Sequence, residues 1–364
     1  MGTPDLEKSR APRALYVALA AVLAVFVFAV SLSVAQGRPQ APPKKPPTTQ
    51  EGTVAAKPGK GWSEVDRLIE EQKFDAAVQQ VEKIRAAAQQ KGDADEWTRA
   101  LVKEVQLKTG LHGYETAVRF LKEQPWPEGD LHRAVLNLFY ARCLVLYYGA
   151  YSWEINQREK VESKAEVDLK AWTKDQLFRE AEKAYLEVWK LRRSLGEEPV
   201  SRLAEYLEPN SYPPGIRGTL RDAVSYLFVE LLGNTSFWRP EDSNELYRLD
   251  LKALVKGGGE GPGDEKLADP AVHPLLKVGY VLYDLESWHA GSGQRGAALE
   301  ARLERLSRLH DSFTESFDRE VILRDLEERL PAFRGVEWWA QGQATLAEFV
   351  QASDRPRKLV KARE

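Results

Sequence analysis

Residues 219–233 decide the fold, and they read Thr-Leu-Arg-Asp-Ala-Val-Ser-Tyr-Leu-Phe-Val-Glu-Leu-Leu-Gly. The apolar residues recur with the period of about 3.6 that marks one face of an α-helix. They are Leu220, Ala223, Val224, Leu227, Phe228 and Leu231. Thr219 is a preferred N-cap residue, and glycine is the residue that most often follows a helix end, as Gly233 does here. This stretch predicts a helix between Thr219 and Gly233.

The same period extends on both sides, from Trp62 to about residue 352. Between Trp62 and Pro125 it predicts two antiparallel helix pairs with short turns that contain glycine. From Leu131 to Tyr151 apolar residues cover nearly the whole circumference, which predicts a helix buried on most sides. No stretch alternates with a period of two for long enough to predict a strand. The predicted fold class is therefore all-α.

More helices are predicted in the second half of the chain. Thr173 and Gln176 have the spacing of a capping box and predict a helix that Gly196 closes, with Glu182 on its polar face. Later helices are predicted around residues 270–288, 296–310, 313–330 and 336–352. Helix pairs of this kind predict irregular stacked hairpins of the tetratricopeptide-like type, without a strict repeat.

Composition shifts along the chain predict its domain organisation. The helical region divides into a subdomain at 62–233 and a second one at 245–352, because Asn244–Glu245 and the glycine-rich stretch 257–263 interrupt the helical pattern. The glycines lack the Gly-Lys-Ser/Thr ending of a phosphate loop and follow no strand, so they predict a flexible loop. Residues 353–364 form a basic tail.

The N-terminal residues 1–36 predict export. Lys8, Arg10 and Arg13 precede an apolar stretch at 14–35, and about 20 apolar residues suffice to cross a bilayer. The length of the stretch favours a membrane anchor, whereas the small residues that end at Ala35 favour cleavage as a signal peptide. Both alternatives stay open. Either one predicts an extracytoplasmic protein of the bacterial periplasm or cell envelope, anchored in the inner membrane or secreted after cleavage near Ala35.

Residues 37–61 contain repeated proline with lysine and threonine, which predicts an extended linker of the polyproline type. The linker would hold the helical body away from the membrane.

Overall charge and cysteine content narrow the function classes. The 364 residues contain 52 Lys+Arg and 55 Asp+Glu, a net charge of -3, so no basic field points to nucleic acid. The single cysteine, Cys143, lies in an apolar run, which predicts a buried small side chain and excludes an intramolecular disulfide.

The sequence contains no recognisable catalytic, cofactor-binding or metal-binding motif, so no residue is predicted for such a role and no cofactor is expected. The five histidines are scattered and lack the His-Glu-x-x-His spacing of a zinc site. Carboxylates, such as Glu70–Glu71 and Glu327–Glu328, are interpreted as solvated helix faces. The hypothesis of an enzyme, such as a helical glycan hydrolase, is supported only by the many tryptophans and carboxylates. Most of those tryptophans fall on apolar helix stripes. The chain is therefore predicted to be no enzyme.

Several stretches of the helical body carry a resemblance to a known family. They are Trp62–Ile69, Phe74–Ala77, Val81–Ile84, Tyr151–Glu159, Asp168–Thr173 and, most specifically, Tyr212–Asp222 with Tyr226–Leu227. The region of about 62–352 is similar to the N-terminal helical region of bacterial alpha-2-macroglobulin-like proteins. The resemblance implies an envelope protein with protein partners, namely macroglobulin domains of the same or a neighbouring chain, and proteases.

Members of that family are thought to trap proteases, and many use an internal thioester of the form Cys-x-Glu-Gln. Cys143 is followed by Leu144, Val145 and Leu146, so this chain departs from the motif and trapping is not carried over to it. A truncated reading frame, a fragment and a stand-alone relative stay open as explanations for the end at Glu364. The leading hypothesis is a non-catalytic helical module of such an inhibitor. The alternative is a stand-alone tetratricopeptide-like envelope scaffold that binds proteins.

Overall fold

The computed structural model describes residues 32–33, 60–159, 167–208, 210–257, 263–356 and 360. Most of the predicted signal or anchor segment, most of the predicted linker and much of the basic tail therefore lie outside the described residues. Within the described part of the chain, no helix is both long and apolar enough to cross a membrane.

The described chain is all-helical, as predicted, apart from one short strand pairing. The helices are α1 (Lys60–Glu70), α2 (Phe74–Lys91), α3 (Ala94–Gly110), α4 (Tyr114–Glu123), α5 (Asp130–Ile155), α6 (Lys174–Lys190), α7 (Leu220–Leu232), α8 (Pro240–Asn244), α9 (Leu251–Val255), α10 (Gly263–Leu267), α11 (Pro274–Gly291), α12 (Arg295–Ser312), α13 (Ser316–Arg329) and α14 (Trp339–Ala352). Three 3-10 turns lie at Val200–Leu203, Leu246–Arg248 and Leu330–Phe333. The strands β1 (Leu32–Ser33) and β2 (Leu207–Glu208) pair in parallel.

Contacts within the chain define two compact units. Of the described residues, 60–125 belong to unit 1, and 32–33 together with the residues from Trp126 onward belong to unit 2. The predicted boundary lay between 233 and 245. Helices on both sides of that stretch, α7 and α11, pack together inside unit 2.

Unit 1 contains helices that pack on their neighbours in sequence: α1 on α2, α2 on α3, and α3 on α4. Trp62, Val65, Val81 and Leu107 are among its buried apolar residues. The turns between the helices use left-handed backbone at Gln72, Gly92 and His112. Unit 1 is therefore built from contacts between segments close in the chain.

Unit 2 combines packing between neighbouring helices with packing between segments that are far apart in the chain. Helix α5 packs on α6, and α7 packs on both α6 and α11. Helix α12 packs on α11, α13 and α14. The nearly all-round apolar helix predicted at 131–151 is α5, which continues to Ile155 past a non-helical backbone at Tyr151.

Two predicted helix starts are confirmed in atomic detail. Thr173 caps α6 with a complete capping box to Gln176, and Thr219 caps α7 with one to Asp222. The predicted end of α6 at Gly196 is wrong, because the helix stops at Lys190 and a turn continues to that glycine. A Cβ at Gly196 would lie 2.7 Å from the carbonyl oxygen of Arg192, so only glycine fits this turn.

Candidate binding groove

A groove lies at the C-terminal end of α7 in unit 2. Its free volume is about 400 Å³, within the range of sites that hold small ligands or single side chains of a partner. Its lining residues are Gly233, Thr235, Trp238, Ser243, Leu246, Leu275, Val278, Arg308, Asp311 and Ser312. Its apolar lining residues are Trp238, Leu246, Leu275 and Val278; Trp238, Leu275 and Val278 are at most 6% exposed, and Leu246 is half-buried.

One wall of the groove is a charged side of α12. Arg308 Nε donates to Glu304 Oε1 at 2.8 Å, and Glu304 Oε2 accepts from Arg217 Nη2 at 3.0 Å. Burial acts to raise the pKa of Glu304, but Arg217 and Arg308 outweigh it and hold this pKa below its ordinary value. A Cβ at Gly233 would lie 3.3 Å from Arg308 Nη1. Glycine at this helix end therefore leaves room for the guanidinium.

Another part of the lining, Trp238, Ser243 and Leu246, comes from the α8 segment, which we define as residues 238–248. Trp238 Nε1 donates to the carbonyl oxygen of Leu232 at 2.8 Å and so ties the segment to the end of α7. Arg239 Nη2 donates to Asp242 Oδ1 at 2.7 Å. Burial acts to raise the pKa of Asp242, but the hydrogen bonds from Arg239 lower it overall. Asp242 therefore stays ionised at mildly acidic pH.

A smaller cavity of about 80 Å³ lies between α5, α6 and α7. Arg142, Tyr185, Glu230 and Asn234 supply its polar groups. Burial raises the pKa of Glu230, against the opposing charges of Arg142 and Arg308. Its volume suits a few water molecules rather than a side chain of a partner, so the larger groove is the better candidate site.

Arg217 organises the interior behind the groove. Its side chain is 1% exposed, and its Nη2 lies 2.6 Å from Glu300 Oε1. The guanidinium carbon lies 3.6 Å from the ring centroid of Tyr226, and Trp338 Nε1 donates to Glu300 Oε2 at 2.6 Å. Arg217 holds left-handed backbone with φ of 52°. The stretch Tyr212–Asp222 thus contributes Arg217 to a buried charge cluster.

The interpretation of carboxylates as solvated is wrong for several residues of unit 2. Glu182, placed on a polar helix face by its sequence neighbours, is 2% exposed and accepts from Lys277 Nζ at 2.6 Å. Glu286 is also buried and pairs with both Arg302 and Arg305. The reason is that cations from other helices reach these carboxylates, from 95 residues away for Glu182 and from the next helix for Glu286. Glu70 and Glu71, in contrast, are exposed as predicted.

His289 and Asp222 form the pair that most resembles a catalytic arrangement. His289 Nε2 lies 2.7 Å from Asp222 Oδ1, and Nδ1 lies 2.6 Å from Gln294 Oε1. Both ring nitrogens are therefore engaged, and His289 is 1% exposed. A general base needs a ring nitrogen that faces its substrate. This pair has no such nitrogen and serves to join α7 to α11.

No site residue was predicted, and the groove is a candidate site that the sequence did not indicate. Its residues come from three separated stretches, 233–246, 275–278 and 308–312, and no spacing within any of them signals a cavity. Across the described residues, no three His, Cys, Asp or Glu side chains come close enough to hold a metal ion. Cys143 is buried, as its apolar neighbours predicted.

No protein-family profile, no curated protein and no solved structure matches this chain.

Proposed function

We propose that this chain is a non-catalytic interaction module and that its groove receives a segment of another protein domain. The observation that carries the proposal is the groove itself, a cavity of about 400 Å³ whose lining combines apolar residues with the hydroxyl groups of Thr235, Ser243 and Ser312. Hydroxyl groups can bond the backbone of a bound segment, while the apolar surface receives an aliphatic or aromatic side chain. The proposed ligand is therefore a protein segment with an exposed large apolar residue.

Within this function, we favour the helical N-terminal module of a bacterial alpha-2-macroglobulin-like protease inhibitor of the cell envelope. Its partners would be macroglobulin domains of the same or a neighbouring chain, and also proteases. Support comes from the stretch Tyr212–Asp222, whose residues carry the resemblance and whose Arg217 and Asp222 each hold a long-range buried contact. The predicted export through residues 14–35 is part of this proposal.

A second candidate is a stand-alone envelope scaffold of the tetratricopeptide-like kind. The observation that favours it is the packing of α1 on α2, α2 on α3 and α3 on α4, which is the neighbour-to-neighbour order of a helical repeat array. Such arrays bind peptides along one face. Partners of the scaffold would bear no relation to macroglobulin domains.

Site-specific cross-linking in the source cells tests the proposal. A photoreactive phenylalanine analogue replaces Thr235, an exposed residue of the groove, in the full chain. The matched control carries the same analogue at Glu328, which is exposed on α13 away from the groove lining. We expect an adduct at position 235 that mass spectrometry assigns to a macroglobulin domain, with none at 328.

The Ser243→Trp substitution sharpens this test, because the large ring fills the groove from its exposed wall. We expect it to reduce the position 235 adduct at least about tenfold, as blocked hot-spot contacts do. An adduct with an unrelated protein would favour the scaffold. Equal labelling at 235 and 328 would refute binding in the groove.

A further inference from the structure

One wall of the groove is attached to the rest of unit 2 through a buried histidine. Ser243 and Leu246 of the α8 segment line the groove. His273, 8% exposed, lies directly before α11 and contacts the α8 segment at the carbonyl oxygen of Asp242. The ring of Trp238 meets the ring of His273 edge-on, at 5.2 Å between centroids.

The hydrogen bonds of His273 determine where its single proton sits. The backbone N–H of Leu275 donates to Nδ1 at 3.0 Å, so Nδ1 carries a lone pair and no proton. Nε2 lies 2.7 Å from the carbonyl oxygen of Asp242, which can only accept, so Nε2 carries the proton. The ring is therefore neutral, and it joins the N-terminus of α11 to the α8 segment.

A second proton on His273 would break this arrangement. It would have to occupy Nδ1, where it would face the N–H of Leu275, and two donors cannot share one hydrogen bond. The N-cap of α11 would be lost, and a cation would stand at the positive end of that helix dipole. Both effects oppose protonation in the closed arrangement.

The charged groups around His273 do not reverse this preference. Burial is the largest influence and lowers the pKa of His273, and the charge of Arg239 lowers it further. The hydrogen bond to the Asp242 carbonyl and the charges of Asp242 and Glu245 act to raise it. From α11, Lys277 is ion-paired with Glu182 of α6. Asp175 and Arg179 of α6 line the adjoining cavity. The net result is a pKa below the ordinary value of 6.5.

We propose that His273 is an acid-sensitive latch, which holds the α8 segment against α11 when neutral and releases this wall of the groove when protonated. The latch stands on the geometry of His273 alone, whereas its control of partner binding rests on the proposed function. Below about pH 6.5 the released form takes up the proton first. Each pH unit then raises the ratio of released to closed chain about tenfold, until the lowered pKa is reached.

Hydrogen–deuterium exchange of the full chain tests the latch. Rates are measured at about pH 7.5 and about pH 5 and corrected for the intrinsic pH dependence of exchange. We expect amides of 240–249 to open several-fold more at the lower pH, while those of 298–309 in α12 do not change. Asp242 remains ionised throughout this range because its pKa is lowered.

Two variants separate the latch from a general effect of acid. In His273→Asn the side-chain oxygen still accepts from the Leu275 N–H, but the residue does not titrate, so the response to pH is expected to vanish. The control is His112→Asn, which removes an exposed histidine of unit 1 at a left-handed position that asparagine tolerates. It should respond as the unchanged chain does.

Absence of acid opening at 240–249 in the unchanged chain, or its persistence in His273→Asn, would overturn the latch. Opening without any adduct at position 235 would refute the groove function and leave the latch standing. An adduct that is equally strong at both pH values, with no opening, would refute the latch and leave the groove function standing.

Discussion

Unit 1 and unit 2 differ in how much charge they bury. Among the described residues of unit 1, one charged side chain, Glu104, is buried, and Arg85 Nε donates to it. Unit 2 buries many, among them Arg217, Arg305 and Lys277. Arg217 and Glu300 are 83 residues apart in the chain, and Lys277 and Glu182 are 95 apart.

This difference indicates which interactions determine how the helices of each unit are arranged. Unit 1 combines neighbouring helices, for which apolar faces of the right period suffice. Unit 2 also joins distant segments, such as α7 and α11, for which many apolar arrangements would bury similar areas. A buried ion pair is poor evidence of stability, but any wrong pairing leaves a charge without a partner. We infer that the buried charges of unit 2 specify its arrangement, and four experiments examine this.

The largest effect is expected for Arg217→Leu, which leaves Glu300 and Glu304 buried without their shared cation. The free energy of unfolding of unit 2 should fall by about 3–5 kcal/mol. Urea denaturation, followed by exchange of unit 2 amides, measures it. The control Arg324→Leu removes a side chain that is 67% exposed and paired with Glu320, and little change is expected. An equally small change for Arg217→Leu would contradict the inference.

In unit 1 the corresponding sensitive site is apolar. Leu107 is 1% exposed, so Leu107→Ala leaves a cavity and should lower the free energy of unfolding of unit 1 by about 2–4 kcal/mol. Leu111→Ala is the matched control, because Leu111 is 44% exposed in the next turn and should change stability by about 0.5 kcal/mol or less. Exchange of the unit 1 amides in urea reports both values. Equal losses for the two variants would show that the Leu107 site is not tightly packed.

A double substitution distinguishes specificity from stability. Lys277→Met with Glu182→Leu replaces the buried pair by apolar groups, and the double variant should stay within about 1 kcal/mol of the unchanged chain. Lys277→Met alone should be clearly less stable, because Glu182 then keeps only Arg179. Denaturation of the unchanged chain, both single variants and the double variant completes the cycle. A double variant as unstable as the single one would mean that the pair itself stabilises unit 2.

The smallest effect is a difference in the sign of pH dependence. Burial raises the pKa of Glu104, so protonation stabilises unit 1 as the pH falls through that raised value. The pKa of Glu304 is lowered, so its contribution to unit 2 is present above its ordinary pKa and is lost as the pH falls.

The variants Glu104→Gln and Glu304→Gln cannot titrate and expose this difference. Between about pH 6.5 and about pH 4, the stability of Glu104→Gln relative to the unchanged chain should fall. That of Glu304→Gln should rise over the same interval. Denaturation curves at the two pH values measure both, and shifts of the same sign would contradict the assignment.

Local features were predictable from the sequence and distant ones were not. Thr173 and Thr219 determine helix starts through a partner three residues away, so their capping boxes were visible in the sequence or followed from it. Glu182 shows the limit. Its neighbours Arg179 and Lys183 indicate a polar face, but Lys277, a partner 95 residues further on, brings it into the interior. Sequence periodicity indicates the average polarity of a helix face, and it cannot identify a partner on a distant helix.

The groove was unpredictable for a related reason. Its apolar residues Leu275 and Val278 look like ordinary core positions of α11, and Gly233 like an ordinary helix end. Gly233 in fact keeps right-handed backbone, with φ of -80°, and its lack of a side chain admits Arg308. A cavity is a property of how helices pack, so it emerged only with the arrangement of α7, α11 and α12.

The long separation between Arg217 and its acidic partners has a consequence for the growing chain. Ribosomes add about 5–20 residues per second, so the 83 positions to Glu300 take about 4–17 s to synthesise. Helices α1 to α4 need only their sequence neighbours and can pair during that interval. Until α12 has left the ribosome, solvent surrounds the side chains of Arg217, Tyr212 and Tyr226. A chaperone that binds exposed aromatic side chains therefore has that interval in which to recognise this stretch of unit 2.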